Sequence, residues 1–345
     1  MNRIYSMIFA LACPAWLILA QTPAAPDPQM KAVLDQLAQL GGKPIETLSP
    51  AEARKQPTPA DAVKALLTKQ GKSTTPEEVG KVEDRMIPGA AGEIPIRIYS
   101  PKNGQGPFPT VLYIHGGGWV IANLDVYDSS PRALANAAGA VVVSTHYRMA
   151  PEHKFPAAHE DVYAAYQWLL KNAASLRGNA NRITVIGESA GGNMAVGVSL
   201  MARDRGTKLP SSQVLIYPVA QTGLDTPSYK ENATAKPLSK PIMAWFFKHA
   251  ADDAGKYKTD PRLNLTTAAN LKGLPPTTII TAQIDPLRSE GKDLADRLQA
   301  AGVSVVYRNF DGVTHEFFGM GAVVDKAKEA VKVAAEGINR SYSER

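Results

Sequence analysis

The run Ile183-Thr184-Val185-Ile186-Gly187-Glu188-Ser189-Ala190-Gly191-Gly192-Asn193 passes from a short, mostly apolar segment into glycine, a charged residue, serine and a second glycine, and then into an apolar helical pattern. A G-x-S-x-G spacing between a strand and a helix predicts a sharp turn with the serine at its apex. The reason is steric. Such a turn forces the serine into an unfavourable backbone region and brings its neighbours close, so only small residues fit at Gly187 and Gly191. The Ser189 hydroxyl then stands free above a helix N-terminus, whose dipole favours negative charge. The competing reading is an ordinary glycine-rich turn with a capping serine. Placement between a buried strand and an apolar helix favours an exposed nucleophile.

Similar apolar runs recur on either side. Residues 82–86 and 94–99 alternate in strand fashion, with 89–92 as a turn between them. Further runs lie at 110–114, 140–145, 214–217, 277–281 and 303–307, and helical patterns at 131–138, 158–171, 189–205, 290–301 and 324–338. Short buried strands alternating with helices predict a mostly parallel, eight-stranded sheet covered on both faces. Residues 79–217 and 276–345 form the two parts of this α/β core. Residues 25–78 contain no strand-like run and read as a helical arm, with pieces at 29–40, 51–54 and 61–69. Residues 218–275 hold several prolines, an aromatic helix candidate at 242–249 and a polar run at 252–260. So long an excursion between strands reads as an inserted lid or functional element.

His115-Gly116-Gly117-Gly118-Trp119 ends another of these strands. Consecutive glycines leave backbone N–H groups unshielded, and two of them with the N–H of Ala190 suit an oxyanion. A phosphate loop is disfavoured, because no Lys-Ser or Lys-Thr follows and the spacing is not G-x-G-x-x-G. His115 itself reads as a hydrogen-bonder that shapes the loop. A serine hydroxyl needs a base. Of the six histidines, His315 follows the last strand, on the rim that carries the other strand-end loops. His146, His153 and His159 read as packing or surface residues, and His249 lies in the excursion. Asp285, at the end of the preceding strand, qualifies as the partner of the imidazole. Alone it reads as a helix cap before Pro286; the order serine, acid, histidine at successive strand ends favours the catalytic role. Glu290 is the second candidate acid. No His-x-x-x-His, paired carboxylates or cysteine cluster points to a metal, and no cofactor motif is present.

The chain has 345 residues, 44% hydrophobic and 20% charged, with a formal charge of +6. Its basic residues are scattered among acidic ones, which does not imply nucleic-acid recognition. Arg3, the apolar stretch 4–20 and the small residues Ala20, Ala24 and Ala25 form the pattern of an export signal, expected over residues 1–24. Pro14 interrupts the stretch, which disfavours a spanning helix. The only cysteine, Cys13, follows Ala10-Leu11-Ala12, a weak lipoprotein-like pattern, but the apolar run continues beyond it. Cleavage near Ala20 to Ala25 would remove it, excluding disulfides and a cysteine nucleophile from an exported protein, whether periplasmic or released.

Five motifs together resemble the hormone-sensitive-lipase family of α/β-hydrolases, in its branch of bacterial short-chain carboxylesterases. They are His115-Gly116-Gly117-Gly118-Trp119, the stretch from Tyr147-Arg148-Met149-Ala150-Pro151-Glu152 to Ala158, Gly187-Glu188-Ser189-Ala190-Gly191-Gly192-Asn193, Asp285-Pro286-Leu287-Arg288 and His315-Glu316-Phe317, in the family's order. The match runs from about Val82 to the C-terminus. The resemblance implies the α/β-hydrolase fold with a helical cap built from the N-terminal arm and an insertion after the sixth strand. It also implies a triad of Ser189, Asp285 and His315, with oxyanion donors from Gly117, Gly118 and Ala190. The Tyr147–Ala158 motif is read in the family as support beneath the site. Glu188 stands where the family usually has Asp, and Ser289-Glu290 where it often has Asp-Glu; neither removes a catalytic group. Trp119, Tyr217 and Phe318 are candidates for lining the acyl and alcohol pockets, or equally for plain core. The expected partner is a small-molecule ester, with no nucleic acid, no membrane span retained after cleavage, and either a monomer or a homodimer. Two rivals stand beside ester hydrolysis: an amide or peptide hydrolase using the same triad, and a binding protein on this fold, which would be expected to lack a triad member.

Overall fold

Strands form at each apolar run: β1 (Lys81–Gly89), β2 (Gly92–Ser100), β3 (Phe108–Ile114), β4 (Val141–Thr145), β5 (Gly178–Glu188), β6 (Ser212–Ile216), β7 (Thr277–Ile284) and β8 (Val305–Thr314). The structure is a computed structural model that describes residues 24–251 and 255–343. The expected export signal therefore lies outside the described residues, Ala24 excepted. The sheet is eight-stranded with order β1-β2-β4-β3-β5-β6-β7-β8. β2 runs antiparallel to β1 and β4, and all other pairs are parallel. β8 outruns its apolar stretch and pairs with β7 as far as Ile284↔Thr314. Backbone hydrogen bonding carries the strand onward, and on this edge strand the side chains of Arg308 and Asp311 remain exposed.

The helices are α1 (Pro28–Gln39), α2 (Pro50–Ala53), α3 (Pro59–Lys69), α4 (Ser129–Ala138), α5 (Ala157–Asn172), α6 (Ala190–Asp204), α7 (Pro227–Glu231), α8 (Lys240–Ala250), α9 (Arg288–Ala300) and α10 (Asp325–Ser343). Only α7 has no counterpart in the sequence reading; it is one turn long, too short for a periodic signal. None of the helices among the described residues is long and apolar enough to cross a membrane.

Alternation along the strands builds two cores. Leu112, Ile114, Val143, Val185 and Leu215 face α5, α6 and α9, while Val111, Tyr113, Val142, Ile186 and Val214 face α4 and α10. Met30 and Val33 of α1, with Leu66 and Leu67 of α3, join the second core. Arg54, just past α2, straps this arm down. Its guanidinium donates to the carbonyls of Val120 and Ala150, both at 2.8 Å, and pairs with Glu152. Trp245 of α8 donates from Nε1 to the Leu48 carbonyl at 3.1 Å, joining the excursion to the arm. Arm and excursion thus meet above the C-terminal ends of the parallel strands, where Leu37, Ile45, Leu238, Ile242 and Phe246 roof a cavity of about 600 Å³.

Candidate active site

Ser189 sits between β5 and α6 with φ 57° and ψ −118°, a region that L-residues rarely adopt. Holding it there costs roughly 1–3 kcal/mol. Its neighbours impose the conformation: the Ser189 N–H donates to the Ile216 carbonyl at 2.9 Å, and its own carbonyl accepts from Asn193 and Val219, both at 3.2 Å. A Cβ at Gly187 would lie 2.0 Å from the Gly191 carbonyl oxygen, and one at Gly191 would lie 2.1 Å from that of Ile114. Both contacts are with backbone, which has no free rotamer to give way. Gly191→Ala is therefore expected to cost about 3 kcal/mol of stability, read as a lowered midpoint in urea unfolding; an unchanged midpoint would contradict the packing described.

Three side chains distant in the chain meet in one line. The Ser189 hydroxyl donates to His315 Nε2 at 3.0 Å. His315 Nδ1 lies 2.7 Å from Asp285 Oδ2. A carboxylate only accepts, so Nδ1 carries the proton and Nε2 is left as the acceptor. The other Asp285 oxygen accepts from the Leu287 N–H at 2.9 Å, ahead of α9. Asp285 does not cap α9, whose N-cap position is held by Leu287 without a side-chain bond; one carboxylate oxygen closes the turn ahead of the helix and the other holds His315. Glu290, the second candidate acid, bonds instead to the Ala220 N–H at 2.8 Å, and burial pushes its carboxyl well up.

Gly117 and Gly118 line the cavity with Ser189 and His315. Their φ values are 87° and 57°, and a Cβ on Gly118 would stand 2.2 Å from the Phe246 ring. Ala190 opens α6, where the first N–H groups have no helical acceptor. His115 shapes this loop as its position suggested: Nδ1–H donates to the Gly116 carbonyl and Nε2 accepts from His146 Nδ1–H, both at 2.9 Å. Burial, with His146 adding to it, pushes its imidazole down to about 3. The Tyr147 hydroxyl donates to the same Gly116 carbonyl at 2.9 Å, and Arg148 is held by the buried Asp161 at 2.7 Å, which sets the Tyr147–Ala158 stretch under the glycine loop.

The three aromatic pocket candidates are core residues and do not line the cavity. The backbone is left-handed at Gly118 and Trp119, and the Trp119 indole packs against His159 and Phe247 at 6.4 and 5.9 Å. Tyr217 has its hydroxyl on Glu188 and its ring 4.4 Å from that of His315. Phe318 is buried in the core beside Phe317 and Met320. His146, read as packing or surface, stacks on the His115 ring at 5.2 Å and also lines the cavity.

Beside Ser189 lies the buried carboxyl group of Glu188. Glu188 accepts hydrogen bonds from the hydroxyls of Tyr113 and Tyr217. Burial raises it to about 7, with the nearby Glu316 charge adding to the shift. Burial pushes the His315 imidazole down, but Asp285, then Glu316 and Glu188, outweigh it, so His315 ends above its ordinary value of 6.5.

A parallel sheet bearing a serine on a strand-to-helix turn, with glycine amides beside it, defines the α/β-hydrolase class. The family profile for the α/β-hydrolase fold matches residues 111–319. The chain is 38% identical to carboxylesterase NlhH of Mycobacterium tuberculosis over 293 residues, 82% of this chain and 91% of that protein. It is 31% identical to ethyl acetate hydrolase of Pseudomonas putida, over 91% of this chain and 98% of that one. The solved hyperthermophilic esterase of the archaeon Pyrobaculum calidifontis superimposes with a TM-score of 0.82 at 36% identity, covering 92% of this chain and 99% of that one. The chain belongs to the α/β-hydrolase family, in its hormone-sensitive-lipase-like branch of carboxylesterases.

Proposed function

We propose that this enzyme hydrolyses small, short-chain carboxylic esters through an acyl-enzyme on Ser189. The observation that carries this reading is the hydrogen-bonded line Ser189 Oγ, His315 Nε2, Nδ1, Asp285, opening on a cavity walled by Gly117 and Gly118. Ser189 Oγ attacks the ester carbonyl as Nε2 takes its proton. Asp285 holds the resulting imidazolium, and the N–H groups of Gly117, Gly118 and Ala190 receive the oxyanion. The imidazolium protonates the leaving alcohol, and water then cleaves the acyl-enzyme by the same route. A cavity of about 600 Å³ with an apolar roof accommodates a small-molecule ester. The residue pattern of 1–24 supports export of the mature enzyme, which the intact mass of the protein isolated from producing cells reads directly.

Initial rates on aryl esters of increasing acyl length test the assignment. Activity is expected to peak at short acyl chains; a matched anilide turned over as fast as its ester would overturn ester specificity. The reaction needs neutral His315, whose value is raised above 6.5. Protonation removes the base, so kcat/KM is expected to fall about tenfold per pH unit on the acid side. The midpoint of that limb belongs above pH 6.5; a limb centred below it would contradict the carboxylates' influence.

A further inference from the structure

A second carboxyl group faces His315, at the ring nitrogen that Asp285 does not hold. Glu316 Oε1 lies 3.8 Å from His315 Nε2. The same oxygen accepts a hydrogen bond from the Tyr127 hydroxyl at 2.7 Å. In an extended chain, successive side chains point to opposite sides. Glu316 instead has φ 70°, and this turn lets both His315 and Glu316 line the cavity with Ser189 and Tyr127. Serine attack makes no use of Glu316, because Ser189 already reaches Nε2 directly.

Two acceptors this close can share one water at ordinary hydrogen-bond length. We propose that Glu316, tethered by Tyr127, orients the water that deacylates Ser189. The inference rests on the acyl-enzyme reading above. One water hydrogen passes to Nε2 while the oxygen forms its bond to the acyl carbon and the carbonyl pair moves onto the oxyanion. The second hydrogen stays on the attacking oxygen, donated to Glu316 Oε1. The intermediate collapses by breaking the bond from carbon to Ser189 Oγ, which regains the proton from Nε2. The acid leaves, and Glu316 is unchanged, having acted as an acceptor only.

Methanol has one O–H, so its attack uses Nε2 and leaves nothing for Glu316 to hold. This separates the proposed role from a structural one. With p-nitrophenyl acetate as substrate, at a pH well above the acid limb where His315 is neutral with or without Glu316, Glu316→Ala is expected to slow deacylation in water roughly tenfold more than it slows acylation, giving a burst of p-nitrophenol. Added methanol should restore turnover and raise the ratio of methyl acetate to acetate. Glu316→Gln keeps an oxygen acceptor and should recover most of the hydrolysis. Tyr127→Phe, which frees the tether, should move the product ratio the same way and serves if Glu316→Ala does not fold. An unchanged product ratio, or acylation and deacylation slowed alike, overturns the role of Glu316 while Ser189-dependent turnover stands. Turnover that survives Ser189→Ala overturns the acyl-enzyme reading and this inference together.

Discussion

Ser189→Ala is expected to lower kcat on a short-chain aryl ester by roughly a millionfold. The hydroxyl is the group that donates to His315 Nε2. Without it the imidazole has no protein hydroxyl to activate. The Tyr127 hydroxyl is committed to Glu316, and those of Tyr113 and Tyr217 to Glu188. What survives should come from substrate positioning and the Gly117 and Gly118 amides, roughly a thousandfold over water. Stability should hold, because the strained turn is fixed by backbone bonds to Ile216, Asn193 and Val219 that alanine keeps. Initial rates and a thermal melt on the same sample read both halves. Activity within tenfold of the parent, in a folded variant, would remove Ser189 from the mechanism.

Asp285→Asn is expected to cost about 10⁴ in kcat while preserving the fold. The Leu287 N–H needs the acceptor that Asp285 Oδ1 supplies. An asparagine can meet that need only with its amide oxygen, which turns its NH₂ toward His315 Nδ1. The ring nitrogen there, 2.7 Å from the carboxylate in the parent, must then accept. The proton moves to Nε2, which can no longer take one from Ser189. Burial of His315 would meanwhile go unopposed by its main anionic partner. A variant of normal melting temperature with kcat near the parent's would show that Asp285 only closes the turn ahead of α9.

The strands and long helices were legible because burial writes itself into local pattern. The runs 110–114 and 183–186, short, apolar and set between helical patterns, read as strands buried on both faces, and the glycines at 187 and 191 announce a turn with no room for side chains. His315 and Asp285 were legible through chain order and strand ends. Aromatic roles were not. Trp119 and Phe318 stand within three residues of site residues in the sequence and Tyr217 follows the end of β6, yet all three are buried in the core; the positive φ at Trp119 and Tyr217 redirects side chains that sequence position places at the rim. Tyr127 gave no local signal, since its partner Glu316 is 189 residues away. Phe246 was visible only as part of an aromatic helix; that its ring packs against Gly118 is a tertiary fact.

The amino-acid sequence alone determined the parallel sheet, the sharp turn at Ser189, the glycine loop and the placing of His315 and Asp285 at strand ends, since each depends on local sterics or on position along the chain. Tertiary structure alone decided which side chains wall the cavity, which acid bonds to His315 and which to Ala220, and that a second carboxylate stands at Nε2. Those outcomes depend on distances between elements far apart in the chain, and no local preference encodes a distance that exists only once both cores have packed.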